Sequence, residues 1–239
     1  MQTDGAEPPG PGKIRYSSPN AIALDFRFVR PYVPVVMETA TCTPHKGRPR
    51  EFCTDQALAA ALGVFWAKGY EGASLSELTE AMGISKPSLY AAFGNKESLF
   101  RKALDLYECE KLDYIGKALA EPTARAVAEH LLRGALENQT SSCDHRGCLG
   151  VISSMACGEE AESIREEVLA RGAKAKCRLI ERMERAKAEG DLPDHIDPES
   201  ITAFLNAIVQ GMAVQAGAGA TRAELEKLIE TSLMVWPTR

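Results

Sequence analysis

From Thr54 onward the apolar residues recur at intervals of three and four, and nowhere do they alternate in the period-2 manner of a strand. Leu58, Ala61, Leu62, Phe65 and Trp66 make the first such stripe, and Gly69 marks where that helix stops. A second helix opens on Ser74, whose hydroxyl suits the backbone N–H of Glu77 while the Glu77 side chain reaches back. Its inward positions are Leu75, Leu78 and Met82, and Gly83 ends it. Ile84 and Ser85 form a turn, with Ser85 as N-cap of a short helix from Lys86 to Phe93. Pro87 is tolerated in its first turn because the missing N–H has no partner there. Gly94 closes that helix, and Asn95 caps a longer one running to about Lys117. Thr123–Glu137 reads as helix, followed by a loop over Thr140–Gly147 and a short apolar run, Cys148–Ala156. Glu160–Glu189 is a long helix, acidic at its start and basic from Arg171 onward, the polarity that suits its dipole. Asp197-Pro198 opens the next helix, and Thr221 with Glu224 caps the last, whose stripe is Leu225, Leu228, Ile229, Leu233 and Trp236. The expected fold class is all-α.

Residues 1–45 break this regularity. Pro8, Pro9 and Pro11 alternate with glycines, and Ala21–Val36 is apolar but interrupted by Arg27, Arg30, Pro31 and Pro34. A poorly ordered extension is expected there, with Met37 as an alternative translation start. No secretion signal fits, because the first twelve residues hold Asp4 and Glu7 and no Lys or Arg. Ser200–Thr221 is a second exception: 22 residues without a charge. Asn206, Gln210 and Gln215 would be costly in hydrocarbon, so it reads as a helix buried in protein, with no membrane partner. Ile201, Phe204, Leu205, Ile208, Val209 and Met212 fill one face, and Ala203, Ala207, Gly211 and Val214 leave the other small and uncharged. A second helix can approach that small face closely, which predicts a homodimer built from the last two long helices.

Composition changes the picture in one respect. The 239 residues are 45% hydrophobic and 26% charged, ordinary for a globular chain, and the net charge of −5 alone argues against a nucleic-acid partner. The charge is unevenly spread, however. Residues 46–102 carry 8 Lys/Arg against 6 Asp/Glu, whereas residues 103–239 carry 16 against 23. A small basic head on an acidic body is what needs explaining.

Helix, a tight turn through Gly83 and a short second helix is helix-turn-helix spacing. The first helix braces the second, whose outer face is free to enter a major groove. Ile84 and Leu89 hold the unit together, and Lys86, Ser88 and Tyr90 are left to meet base edges and phosphates. The runs Gly69-Tyr70-Glu71-Gly72-Ala73-Ser74-Leu75, Gly83-Ile84-Ser85-Lys86-Pro87-Ser88-Leu89-Tyr90-Ala91-Ala92-Phe93 and Asn95-Lys96-Glu97-Ser98-Leu99 resemble the amino-terminal domain of the tetracycline-repressor (TetR) family of transcriptional regulators. Thr79 departs from that family's more frequent alanine; its hydroxyl is expected to return to its own helix backbone. The likeness covers residues 50–104, and beyond them it is one of helix count and length only.

The resemblance implies a three-helix DNA-binding domain over 46–104, with its motif at about 74–93, joined to a helical effector-binding and dimerisation domain over 105–239. It implies a homodimeric, usually repressing regulator that leaves a double-stranded DNA operator when a small-molecule effector binds; no cofactor is expected, and the scattered cysteines suit a cytoplasmic location. It places Ser74, Lys86, Pro87, Ser88, Tyr90 and Lys96 against DNA, Lys86–Tyr90 in the groove and Ser74 and Lys96 on phosphate. For Phe93 a core position is expected. Ahead of the first helix, Lys46-Gly47-Arg48-Pro49-Arg50 reads either as a minor-groove arm, with Arg48 and Arg50 as contacts, or as a solvated linker.

Cys143-Asp144-His145-Arg146-Gly147-Cys148, with Cys157 nearby, is the other chemical constellation. Three readings compete. Cys143, His145, Cys148 and Cys157 could ligate a metal, though the spacing matches no standard zinc site. Cys148 could be a reactive thiol at the amino end of a helix, sensing oxidants or electrophiles. Or Cys148 and Cys157 are small buried hydrophobes and Cys143 a loop residue. In each case the region is expected to border the effector pocket. The seven scattered cysteines suit reduced thiols rather than a disulfide scaffold. A Cys148 nucleophile with His145 or His130 as base is the one enzymatic arrangement available, and it lacks a third orienting group and an oxyanion site, so no enzyme is expected.

Overall fold

Caps and glycines set the boundaries seen in the computed structural model, which describes residues 52–141, 147–155, 158 and 161–237. The expectations for residues 1–45 and for Arg48, Arg50, Cys143, His145 and Cys157 lie outside the described residues. The described chain is helical, with no strand: α1 (Thr54–Gly72), α2 (Leu75–Met82), α3 (Lys86–Phe93), α4 (Lys96–Lys111), α5 (Asp113–Leu119), α6 (Ala124–Thr140), α7 (Leu149–Ser154), α8 (Glu162–Ala188), α9 (Pro198–Gly217) and α10 (Arg222–Met234). Both capping boxes form, Ser74 with Glu77 and Thr221 with Glu224. Ser85, Asn95, Thr123 and Asp197 each accept a backbone N–H at the head of α3, α4, α6 and α9. Such a cap is worth about 1 kcal/mol. Within α1 the helical backbone breaks at Gly69, where φ is 69° and ψ is −179°.

Two apolar cores result. In the head, Leu62, Phe65, Trp66, Leu78, Leu89, Phe93, Leu99 and Phe100 are buried together. Phe65 and Phe100 meet edge to face at 5.0 Å, joining α1 to α4. This core also takes in Tyr107 at the far end of α4, Leu149 of α7, and Ile164 and Val168 of α8. The second core gathers Leu131, Leu132 and Leu136 of α6 with Leu179 and Met183 of α8, Leu205 and Met212 of α9, and Ile229, Leu233 and Trp236 at the end of the chain.

Three expectations need correction. The helix expected from Asn95 to about Lys117 is two: α4 stops at Lys111, Leu112 leaves helical geometry at φ −105° and ψ 7°, and α5 starts at Asp113. The reason is a change of partner. Leu112 still packs on the head core, whereas Tyr114, Ile115 and Ala118 pack on the body core. Gly134 of α6 makes this close approach possible, since a Cβ there would collide with the edge of the Tyr114 side chain. Phe204, expected on the buried face of α9, is exposed. It lies beside exposed Ala203, Ala207, Gln210 and Val214, while Ile201, Leu205, Met212 and Ala216 face the core. The long helix begins two residues later than expected, at Glu162.

An ionic lattice ties α4 to α8. Arg171 reaches Asp105 at 2.7 Å, Glu108 at 3.0 Å and Glu167 at 2.6 Å, and Arg101 reaches Glu97 at 2.7 Å and Glu167 at 2.5 Å. Ser163 donates to Glu97 at 2.8 Å, extending the contact to the start of α8. No described helix is long and apolar enough to cross a membrane.

Candidate nucleic-acid interface

The turn between α2 and α3 depends on Gly83, which sits in the left-handed region at φ 64° and donates to the Glu80 and Thr79 carbonyls. That conformation swings the chain so that Ser85 caps α3, accepting from the Ser88 N–H at 3.3 Å. Leu89 and Phe93 turn inward and are buried, which orients the rest of the helix. Lys86, Pro87, Tyr90 and Ala91 then share the outward face, with Tyr90 48% exposed. Its ring offers an apolar body and its hydroxyl a polar tip on that face. Ser88 is half-buried, its hydroxyl 2.9 Å from that of Ser85. Thr79 behaves as expected and donates to the Leu75 carbonyl at 2.9 Å and the Ser76 carbonyl at 3.0 Å.

Ser74 and Lys96 flank α3. Ser74 is exposed and accepts from the Glu77 N–H at 3.2 Å while donating to the Glu77 carboxylate at 2.7 Å. Glu77 also pairs with Lys68. The Lys68 hydrogen bond, then those of the Ser74 hydroxyl and backbone, hold the Glu77 carboxyl down to about 2. Lys68 therefore offsets the charge of the carboxylate hydrogen-bonded to Ser74. The Lys96 ammonium lies 4.5 Å over the Tyr70 ring. Lys102 was not legible from the sequence. Its ammonium rests 5.5 Å from the Phe93 ring centroid, at the carboxy end of α3, a proximity only the tertiary fold creates.

At the other end of the head, Cys148 occupies the N-cap position of α7 and is half-buried. Tyr107 donates its hydroxyl to the Cys148 sulfur at 3.5 Å, and Asn138 donates to the same hydroxyl at 3.0 Å. Burial first, and the neighbouring Cys148 next, push the Tyr107 phenol far above its ordinary value, so it stays protonated. Cys53 is half-buried, and Cys109 and Cys177 are exposed. Among the described residues no three His, Cys, Asp or Glu side chains gather as they would around a metal ion. His130 pairs with Glu121 at 2.8 Å.

A short exposed helix, braced by a capped one and carrying a lysine and an open tyrosine on its outer face, defines a helix-turn-helix DNA-binding regulator. Residues 57–103 match the family model of bacterial regulatory proteins, tetR family. The HTH-type transcriptional repressor ComR of Escherichia coli K12 is 33% identical over 201 residues, spanning 80% of this chain and 92% of ComR. The TetR family regulator CifR, solved as a cysteine mutant with 26-base-pair double-strand operator DNA, is 41% identical. It covers 80% of this chain and 100% of its own, with a TM-score of 0.75. A regulator from Rhodococcus sp. RHA1 is 37% identical over 77% of this chain and 98% of its own, with a TM-score of 0.54. The chain belongs to the TetR family of bacterial transcriptional regulators.

Proposed function

We propose that the chain is a cytoplasmic homodimeric repressor that reads a palindromic operator through α3 and leaves it when a small molecule binds the body. The observation that carries this reading is the outward face of α3, where Lys86, Pro87 and Tyr90 are exposed over a buried Leu89 and Phe93. Lys86 and Tyr90 enter the groove with Pro87 and Ser88 beside them, and Ser74 and Lys96 lie on phosphate. The relatives support repression: ComR is a repressor, and CifR was solved on operator DNA. Dimerisation is supported by the uncharged exposed stripe of α9, Ala203, Phe204, Ala207 and Val214, with exposed Met234 and Val235 at the end of α10. A two-fold axis through that stripe makes a four-helix bundle of two α9 and two α10 helices.

An apolar cavity of about 70 Å³ lies between α5, α6, α8 and α9, lined in part by Tyr114, Leu131, Leu179 and Asn206. A drug-sized molecule needs several times that volume, so it enters only by moving a wall, which is how an effector comes to favour one head position over another. A second reading is favoured by the Tyr107–Cys148 contact: Cys148 is a responsive thiol, with Cys143 and Cys157 its neighbours in sequence. Lys86→Ala and Tyr90→Ala test the primary reading. Each is expected to weaken specific operator binding by about 1–3 kcal/mol without lowering the melting temperature. Wild-type affinity in both variants would remove α3 as the reading element.

A further inference from the structure

We infer that Tyr107 is the positioning residue through which the state of the Cys148 sulfur reaches the DNA-reading head, so that a small, uncharged, soft electrophile bound to Cys148 is registered as a displacement of α4. This rests on the reading of Cys148 as a responsive thiol. Tyr107 lies near the end of α4, the helix that begins directly after α3 and Gly94. Its hydroxyl is a junction of three elements: it donates to Cys148 at the start of α7 and accepts from Asn138 of α6. Its ring stands edge-on to Trp66 of α1 at 4.9 Å. Trp66 in turn donates to the Gly147 carbonyl at 3.2 Å. Two side chains of the head therefore hold two consecutive residues, Gly147 and Cys148.

The segment they hold is backed on one side by α9. A Cβ at Gly147 would stand 2.9 Å from the Ala213 carbonyl oxygen, so the α9 backbone closes that side. The Tyr107 hydroxyl stands 3.5 Å from the Cys148 sulfur, so atoms added to that sulfur disturb this contact first. The Tyr107 side is also polar and incomplete. Asn138 is 7% exposed, and its Oδ1 has no hydrogen-bond partner. Whichever way the amide is turned, one arm stays unpaired beside the Tyr107 hydroxyl and the half-buried thiol. Burial keeps Tyr107 protonated, so its hydroxyl remains a donor to the sulfur or must find another acceptor when the sulfur is blocked.

Methyl methanethiosulfonate is a suitable probe. The Cys148 thiolate attacks its sulfenyl sulfur, a sulfur–sulfur bond forms, methanesulfinate leaves with the electron pair and the thiol proton goes to solvent. Dithiothreitol restores the thiol by thiol–disulfide exchange, releasing methanethiol and itself becoming the cyclic disulfide. The full chain is treated, the adduct is located by peptide mass spectrometry, and operator affinity is compared for each protein before and after. Wild type is expected to carry the adduct on Cys148, lose about tenfold or more in affinity and recover it with dithiothreitol. Cys148→Ser is expected to keep its affinity even though the exposed Cys109 and Cys177 react. Tyr107→Phe, which removes the oxygen beside the sulfur, is expected to be labelled at Cys148 and yet lose less than about threefold. The double variant Tyr107→Phe/Asn138→Leu, which leaves no orphaned amide, is expected to do the same. Either variant labelled at Cys148 and still released like wild type overturns the role of Tyr107 alone. Cys148→Ser released like wild type, or wild type labelled there without loss of affinity, overturns the responsive thiol itself.

Discussion

Glu77 has three partners at an exposed helix start: Lys68, the Ser74 hydroxyl and the Ser74 backbone N–H. Together they lower its carboxyl to about 2, below its ordinary value. Because the folded-state value is the lower one, the contribution to stability is complete above the ordinary carboxylate range and is lost as pH falls towards about 2. Melting temperature recorded between about pH 5 and pH 2 should therefore fall less steeply for Glu77→Gln than for wild type. Ser74→Ala should cost about 1 kcal/mol at neutral pH, read by chemical denaturation. The capping box was legible because its spacing is local. The Lys68 pairing was not, because it joins α1 to α2 across the Gly69 break and depends on how those helices pack. Ser74 and Glu77 thus show both what a short motif discloses and where it stops.

The α4–α8 lattice carries a different kind of information. Its members are spaced along two helices far apart in sequence, and charge at those positions reads as an ordinary solvated face. In the fold, burial pushes the Glu167 carboxyl up, but hydrogen bonds from Arg171 and Arg101 outweigh it and hold the group below its ordinary value. The clasp is therefore at full strength above the carboxylate range and weakens as pH falls through it. Arg171→Met would leave Asp105, Glu108 and Glu167 facing one another and should cost about 1–2 kcal/mol in denaturant melts at neutral pH. Combined with Arg101→Met the losses should not add, since both arginines share Glu167. The same packing explains why one expected helix is two. Periodicity persists from Asn95 past Leu112, but it cannot show that the residues before and after Leu112 belong to different cores, or that Gly134 admits Tyr114 so closely.

For the molecule as a whole, the head was legible almost residue by residue, because capping residues, Gly83 and the turn all act over a few positions. The body was legible as helices but not as a site. The Tyr107, Asn138 and Cys148 cluster draws on α4, α6 and the start of α7, and no spacing announces it. Phe204 illustrates the same limit: on a helix apolar all round, hydrophobicity does not say which side meets the core and which meets a partner. If that exposed stripe is the two-fold contact, Ala207→Glu puts two carboxylates into it, and sedimentation should show monomers that no longer bind a palindrome. A dimeric, operator-binding Ala207→Glu would place the contact elsewhere. The most direct test of the whole proposal is selection of bound DNA from a random double-stranded library by the full chain. A palindromic consensus should emerge, with half-sites roughly 34–36 Å or a multiple apart, as two α3 helices related by a two-fold axis require. Recovery of no consensus, or of a single asymmetric site bound by a monomer, would contradict it.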